Sequence, residues 1–425
     1  MKFIDNIDKS KFDEFVLKHS NISFMQSSTW GDFENKTINR KDYYLGLVDN
    51  KDNIVCAGMF LKKDLLLGYS YLYCPRGFII DYKDKELLKE YTDELYKYCK
   101  SKKILFIKID PEVKLHDLDI DGNIIGNDNT EIVEYLKKIG YKHFGYNKNF
   151  ENSLPRYTFR LKLDKDIEEI INNFHPTTKK IIKKGNVDNL IILKNKDASI
   201  DDFYYTMKET EKREDILYHS KSYYEEYYKL LSKKDMSDLY EIKVDWKELL
   251  NLYKDRKENI SKEISELEQK EFKKTDKKNN LLKELNNQLT KINKEISNIE
   301  ESMDKNPVLS SILTTKFGDT VWTVHGGNST YLREMNANYF IYFEIIKDAL
   351  KDGYKYIDFF GTTGDNSNTN NSVYGIHSFK KRLGGEYIEY IGEFDLIINK
   401  FMYKTFNLLI PIYRKIQRIK NKSKR

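Results

Sequence analysis

The chain has 425 residues, a third of them charged, and a net charge of +6. That length supports two or three domains with real cores, and so small a net charge confines any contact with nucleic acid or membrane to local patches. Cys56, Cys74 and Cys99 form no CxxC pair and have no histidine ligands nearby, which argues against a zinc site and fits a reducing compartment. Met1–Ser20 is polar rather than a signal peptide, and no apolar run reaches membrane-spanning length; the expectation is a soluble cytoplasmic protein.

Two helices are expected first, near Lys9–His19 and Ser28–Asn35. Strand-like runs follow at Tyr43–Val48, Ile54–Phe60 and Tyr69–Tyr73. The link from Asp49 to Asn53 has turn chemistry, so the first two runs should form a hairpin. After Pro75-Arg76-Gly77 come a helix at Lys85–Lys100, a strand at Ile104–Ile109, a helix at Glu131–Ile139 stopping at Gly140, and a strand at Tyr141–Tyr146.

The second region repeats this order. Helical patterns cover Ile167–Phe174, Asp201–Glu214 and Tyr223–Leu231. Strands are expected at Tyr240–Val244, Ser310–Thr315 and Val321–Val324. A helix at Tyr339–Lys351, a strand at Tyr356–Phe359, a short helix at Ile376–Leu383 and a strand at Tyr387–Ile391 complete it. One unit read twice implies duplicated α/β domains.

Between Tyr240–Val244 and Ser310–Thr315 lies a stretch, 246–306, with no Gly and no Pro. Trp246, Tyr253, Ile260 and Leu267 share one heptad position in its first limb, with Leu250 and Ile264 on another. Leu282, Leu289, Ile296 and Met303 share one in the second limb, with Leu285, Ile292 and Ile299 on the other. Two narrow apolar seams joined by the polar link Phe272–Asn280 predict an antiparallel helical arm, each limb about 35–40 Å long. The arm occupies the slot that the Asp49–Asn53 turn occupies in the first region, so it is an insertion at a hairpin tip. The tail Phe401–Arg425 is apolar at first and basic from Arg414 onward. It is either a solvated terminus or an element attracted to an anionic membrane surface or RNA.

No GxxxxGK[ST], GxSxG or HExxH motif is present. The usual ATP, serine-hydrolase and zinc-protease readings therefore lack support, and any donor should arrive already activated. Asp110, just past a strand end and before Pro111, is placed for a cleft and for general-base work, though Asp before Pro is also common turn chemistry. Lys380 can neutralise a phosphate or an oxyanion, but Lys381 and Arg382 beside it make a solvated charge run the default reading. Lys179, Lys180, Lys183 and Lys184 suit an RNA backbone or a solvated helix face. Arg213, Tyr218, His219, Tyr223 and Tyr224 suit a polar aromatic wall.

The runs Phe24-Met-Gln-Ser-Ser-Thr-Trp30, Tyr73-Cys-Pro-Arg-Gly77, Lys108-Ile-Asp-Pro111, Trp322-Thr-Val-His-Gly-Gly-Asn-Ser-Thr330, Gly353-Tyr-Lys-Tyr-Ile-Asp-Phe-Phe-Gly361 and His377-Ser-Phe-Lys-Lys-Arg-Leu-Gly384 occur in that order, with Arg333, Ala337 and Tyr339 between them. Together they resemble the FemABX aminoacyltransferases. The resemblance covers nearly the whole chain in order. It implies an α/β (α+β) fold of two acetyltransferase-like (GNAT-like) domains, 1–154 completed by 392–425 and 155–391, with the arm 246–306 inserted in the second. It also implies transfer of an amino acid from aminoacyl-tRNA to the stem-peptide amine of a lipid-linked or UDP-linked muropeptide, with no cofactor and no metal. A peripheral position at the inner membrane face and association with related transferases are compatible with it.

By the same resemblance, Lys380 and Phe379 fall beside the reacting carbonyl, and Asp110 falls on a carboxylate proposed as base. Tyr223 falls on the precursor-binding wall, and Arg213 and Arg76 join the substrate-binding candidates. His219 stands where the family usually has a diphosphate-binding Arg. The family's early Lys is Glu34 here, with Lys36 the nearest substitute. In the basic helix, Lys179 replaces an Arg and Gly185 an Ala; Lys179, Lys180, Lys183 and Lys184 are the tRNA-binding candidates. Two rival readings are a non-catalytic RNA-binding or coiled-coil scaffold and an enzyme of the same fold using another acyl donor such as acyl-CoA. The second lacks a convincing glycine-rich pyrophosphate turn.

Overall fold

The unit read twice in the sequence occurs twice in the computed structural model, which describes all residues except 21, 185–188, 215–216, 271–274, 304–307, 372 and 409–425. Gly185 and the basic tail from Arg414 thus lie outside the described residues. The first sheet runs Lys2–Ile4, Asp42–Val48, Ile54–Asp64, Ser70–Cys74, Ile104–Ile109, Phe394–Ile397, Tyr141–His143. The second runs Leu190–Lys194, Leu239–Val244, Val308–Phe317, Thr320–Asn328, Tyr356–Asp358, Tyr157–Lys162, Glu386–Tyr390, Lys114–Leu118, Ile124–Asp128. The first five strands of each correspond. Two helices follow the first strand, three antiparallel strands come next, and a crossover helix leads to a parallel fifth.

The crossover helices form for the same reasons. Lys85–Ser101 starts at Asp84, whose carboxylate accepts from the Leu87 N–H, and it buries Leu87, Leu88, Tyr91, Leu95 and Cys99 along one face. Ala337–Lys351 buries Ala337, Phe340, Ile341, Ile345 and Ile346.

The sixth strand of each sheet crosses from the other half; neither strand was assigned from the sequence, although the domain bounds implied by the resemblance already put 155–391 in the second domain and returned 392–425 to the first. Tyr157–Lys162 follows the first half's last strand yet pairs with Tyr356–Asp358 and Glu386–Tyr390 in the second sheet. Phe394–Ile397 follows the second half's last strand yet pairs with Ile104–Ile109 and Tyr141–His143 in the first. A hairpin of Lys114–Leu118 and Ile124–Asp128 also leaves the first half to extend the second sheet. Separating the halves would break these ladders, so they form one frame. An aromatic core reinforces it. Phe33 on helix Ser28–Ile38 meets Tyr223 and Tyr227 on helix Lys221–Ser232, with ring centroids 5.1 and 5.3 Å apart.

The arm leaves between two paired strands, Leu239–Val244 and Val308–Phe317. Its helices are Trp246–Gln269 and Thr275–Ser302, 24 and 28 residues long, or about 36 and 42 Å. The heptad residues Ile260, Ile264, Leu267, Leu282, Leu285, Leu289 and Ile292 are the half-buried ones, and the positions around them are mostly exposed. Lys254 and Glu300 approach across the pair to 3.8 Å. Helix resumes at Thr275, so the expected link Phe272–Asn280 is shorter than read, because Asp276–Asn280 continue the second limb's helix. At the base, Leu249 and Ile299 are buried, and Trp246, Leu250 and Tyr253 pack on the body.

Candidate active site

Lys380 sits on helix Tyr374–Arg382, whose buried residues are His377 and Lys380 itself. Its ammonium donates to the carbonyls of Phe360 and Gly361 at 2.5 and 2.7 Å. Those carbonyls are presented by a turn just past strand Tyr356–Asp358. Phe360 adopts a left-handed φ of 55°, and its N–H donates to Asp358 at 2.8 Å. Gly361 is required by close approach: a Cβ there would lie 2.6 Å from Pro155. Asp358 is itself held by Arg160 at 3.0 Å and by the Thr158 hydroxyl at 2.6 Å. Burial pushes the Lys380 ammonium down to about 7, against the opposing pull of Asp358.

Lys380 and Phe379 line a cavity of about 760 Å³. Arg213, Arg333 and Arg382 also line it, and among the described lining residues Glu214 is the one acid. Phe379 packs edge-on against Tyr339 and Tyr342, which line the same wall. Such a site favours an anionic, partly apolar ligand. Arg213 is anchored rather than free, donating to the Asn328 carbonyl at 3.1 Å and to Glu214 at 2.9 Å. His219 stacks on Tyr223 at 3.8 Å between ring centroids. Burial lowers the His219 pKa, and nearby Arg40 adds to the effect. Tyr223 is buried behind it against Phe33.

Other expected site residues stand elsewhere. Asp110 is buried and does not line this cavity; its carboxylate accepts from the Tyr73 hydroxyl and the Arg76 N–H, both at 2.8 Å. Burial pushes it up to about 6, with Arg76 opposing. The Arg76 guanidinium lies over the Tyr390 ring and donates to the Pro155 carbonyl at 2.8 Å. Since Pro155 lines the cavity, Asp110 reaches it only through Arg76 and Pro155. Lys36 is exposed and paired with Glu226 at 3.0 Å. Lys179, Lys180 and Lys183 lie on helix Pro176–Lys184, with Lys180 and Lys183 exposed and Lys183 within 3.5 Å of Glu168; the side chain of Lys184 lies outside the described residues. The helix start is tied to the Lys380 helix, since the His175 N–H donates to the Arg382 carbonyl at 3.1 Å.

His325 received no role in the sequence reading. It lines the cavity, and its Nε2 is shut from water with no hydrogen-bond partner among the described residues. Burial, with His219 nearby, pushes it down to about 3, so it is neutral. Its one sequence signal was position: a histidine among apolar strand residues just before Gly326-Gly327.

A buried lysine on the wall of a cation-lined cavity is equipped to stabilise negative charge on a reacting group, and the frame that carries it is a duplicated acyltransferase-like α/β fold. The chain belongs to the FemAB family, whose model matches residues 7–410, and it is an aminoacyltransferase. It is 27% identical over 415 residues to the Lipid II:glycine glycyltransferase of Staphylococcus epidermidis, covering 96% of this chain and 95% of that one. It is 26% identical over 431 residues to the enzyme of the same description from Staphylococcus aureus, covering 99% of each. Among solved structures, FemX superposes with a TM-score of 0.74 at 25% identity, covering 95% of this chain and 99% of FemX.

Proposed function

We propose that this chain transfers an aminoacyl group from aminoacyl-tRNA to the side-chain amine of a stem peptide on a lipid-linked peptidoglycan precursor, building the interpeptide bridge or branch. The observation that carries this is Lys380, a buried cation at the cavity wall. The relatives' description, Lipid II:glycine glycyltransferase, favours a lipid-linked acceptor over a UDP-linked one.

The amine nitrogen attacks the ester carbonyl, the C–N bond forms, and the carbonyl oxygen takes negative charge. The C–O bond to the ribose then breaks and the amine loses a proton. The Lys380 ammonium steadies the oxyanion. With a pKa near 7 it can also hand a proton to the departing ribose oxygen and regain one from the amine through solvent. An ester donor is already activated, so no nucleotide hydrolysis is needed. Asp110, with both oxygens engaged, holds the Arg76–Pro155 wall in position. The exposed Lys180 and Lys183 beside the Lys380 helix offer contacts for the tRNA backbone.

Incubation with individually charged tRNAs and a lipid-linked muropeptide tests this directly: aminoacyl transfer from at least one donor is expected, and none from any donor would sink it. A scaffold reading, in which the arm is a partner surface without chemistry, is separated by shortening the arm. Removing 256–296 leaves Trp246, Leu249, Tyr253 and Ile299 in place at the base. Transfer from a minimal aminoacyl ester should persist, while affinity for whole tRNA falls by about tenfold, or ~1.4 kcal/mol.

A further inference from the structure

We propose that one face of the first sheet, formed by the 64–69 turn and the helix 400–408, is a docking surface for an anionic phospholipid bilayer. Strands Ile54–Asp64 and Ser70–Cys74 are joined through Leu65-Leu66-Leu67-Gly68. Three leucines in a row are the reverse of ordinary solvent-turn chemistry. Leu67 stands at the tip with a left-handed φ of 60° and is 87% exposed.

The turn and the helix share one foundation. Leu65 and Tyr69 pack on a small apolar cluster of Leu105, Phe106 and Tyr403, and Met402 and Phe406 of the helix pack on the same cluster. Phe401 and Leu408 point away from it, 76% and 75% exposed. Leu67, Phe401 and Leu408 are the three most exposed large apolar side chains among the described residues. They occur on two segments that are separated by more than 300 residues of sequence yet rest on one cluster.

The surroundings are mainly cationic, and the exposed acid of the turn, Asp64, is paired with Lys62 at 2.8 Å. The Lys142 ammonium lies 5.6 Å from the Tyr403 ring centre and that of Lys63 lies 5.6 Å from the Tyr71 ring centre, while Lys400 and Lys404 are exposed on the helix. In sequence, residues 400–425 carry nine Lys and Arg and no Asp or Glu. The whole chain carries only +6, so everything before this segment is net acidic.

Exposed apolar side chains among lysines match the boundary between acyl chains and anionic headgroups. An RNA backbone would engage the lysines and leave Leu67, Phe401 and Leu408 in water, which is why a bilayer fits better. No helix among the described residues is long and apolar enough to cross a membrane, so the contact is a surface one. The proposal stands on surface chemistry and does not depend on the reaction above, though it would keep a lipid-linked acceptor within reach.

The full chain is tested by flotation with vesicles of phosphatidylglycerol and phosphatidylcholine, and with phosphatidylcholine alone. Binding to the anionic vesicles is expected, and Leu67→Ser/Phe401→Ser/Leu408→Ser should weaken it by about tenfold or more without lowering Tm. A Leu67→Trp variant should show a blue-shifted emission quenched by brominated lipid. Absence of binding to anionic vesicles, equal binding by the triple variant, an emission of the Leu67→Trp variant unchanged by lipid, or occupation by tRNA with no vesicle binding would each overturn the proposal.

Discussion

Helices Thr130–Lys138 and Tyr374–Arg382 occupy the same place in the two halves, each just before the last strand. Counted back from Gly140 and Gly384, Leu136 corresponds to Lys380 and Val133 to His377. Leu136 and Val133 are buried among apolar neighbours of the first core. Lys380 and His377 are also buried, yet one is a cation at the wall of a cavity and the other a neutral ring. Leaving a lysine in a position that its duplicate fills with leucine costs stability, because burial penalises the charge. Under the proposed function, the difference marks the half that does chemistry, and the first half shows the same position serving packing.

Four experiments would break or sharpen this comparison. Lys380→Met should lower transfer by at least about 10²–10³-fold with the fold retained, measured as single-turnover aminoacyl transfer alongside circular dichroism; near-wild-type rates would remove Lys380 from the chemistry. The reciprocal change, Leu136→Lys, should cost ~3 kcal/mol or more in chemical denaturation, since Leu136 is fully buried in an apolar cluster. A loss below about 1 kcal/mol would mean that the two positions are not so different.

The third concerns pH. Below about 7, Lys380 is protonated both folded and unfolded, and the full burial penalty applies. Between about 7 and the ordinary lysine value of 10.5, the unfolded chain binds the proton and the folded chain does not. Stability contributed by this group therefore rises with pH across that window. The stability of wild type relative to Lys380→Met should climb from pH 7 to 10 in urea titrations; a flat difference would show that the ammonium is not strained by burial. The smallest effect is expected at Lys36, whose exposed pair with Glu226 contributes under ~1 kcal/mol. Lys36→Ala should leave both Tm and the KM for the acceptor nearly unchanged, whereas a large KM rise would return Lys36 to the substrate wall.

The elements that the sequence exposed best were those whose own faces differ. The crossover helices, the Asp49–Asn53 hairpin and the arm seams all carry their periodicity within one segment. Tyr157–Lys162 alternates apolar and polar residues as a strand should, yet it was not assigned from the sequence. Arg160 is tolerated there only because Asp358 and Glu112 meet it from elsewhere in the chain. The site was partly legible. Lys380 stood in a run with Lys381 and Arg382 that reads as a solvated face. In the fold, Lys381 pairs with Asp121 at 2.5 Å in a half-exposed setting, and Lys380 alone turns inward to the Phe360 and Gly361 carbonyls. Asp110 was correctly read as ending a strand, but whether that strand end opens on a cavity depends on Tyr73 and Arg76, which close over it.

By itself, the sequence determined the repeated α/β unit, the place and approximate length of the arm, and the family. Helix and strand periods, caps and turn residues are local, and the family's motifs lie in order along the chain. Tertiary structure alone decided the passage of the 114–128 hairpin into the second sheet, the sealing of Asp110, and the meeting of the Leu67 turn with the helix 400–408. Each of these depends on which distant segment fills a gap, and burial turns a lysine, an aspartate or a leucine into a site, a buttress or a surface only after that choice is made.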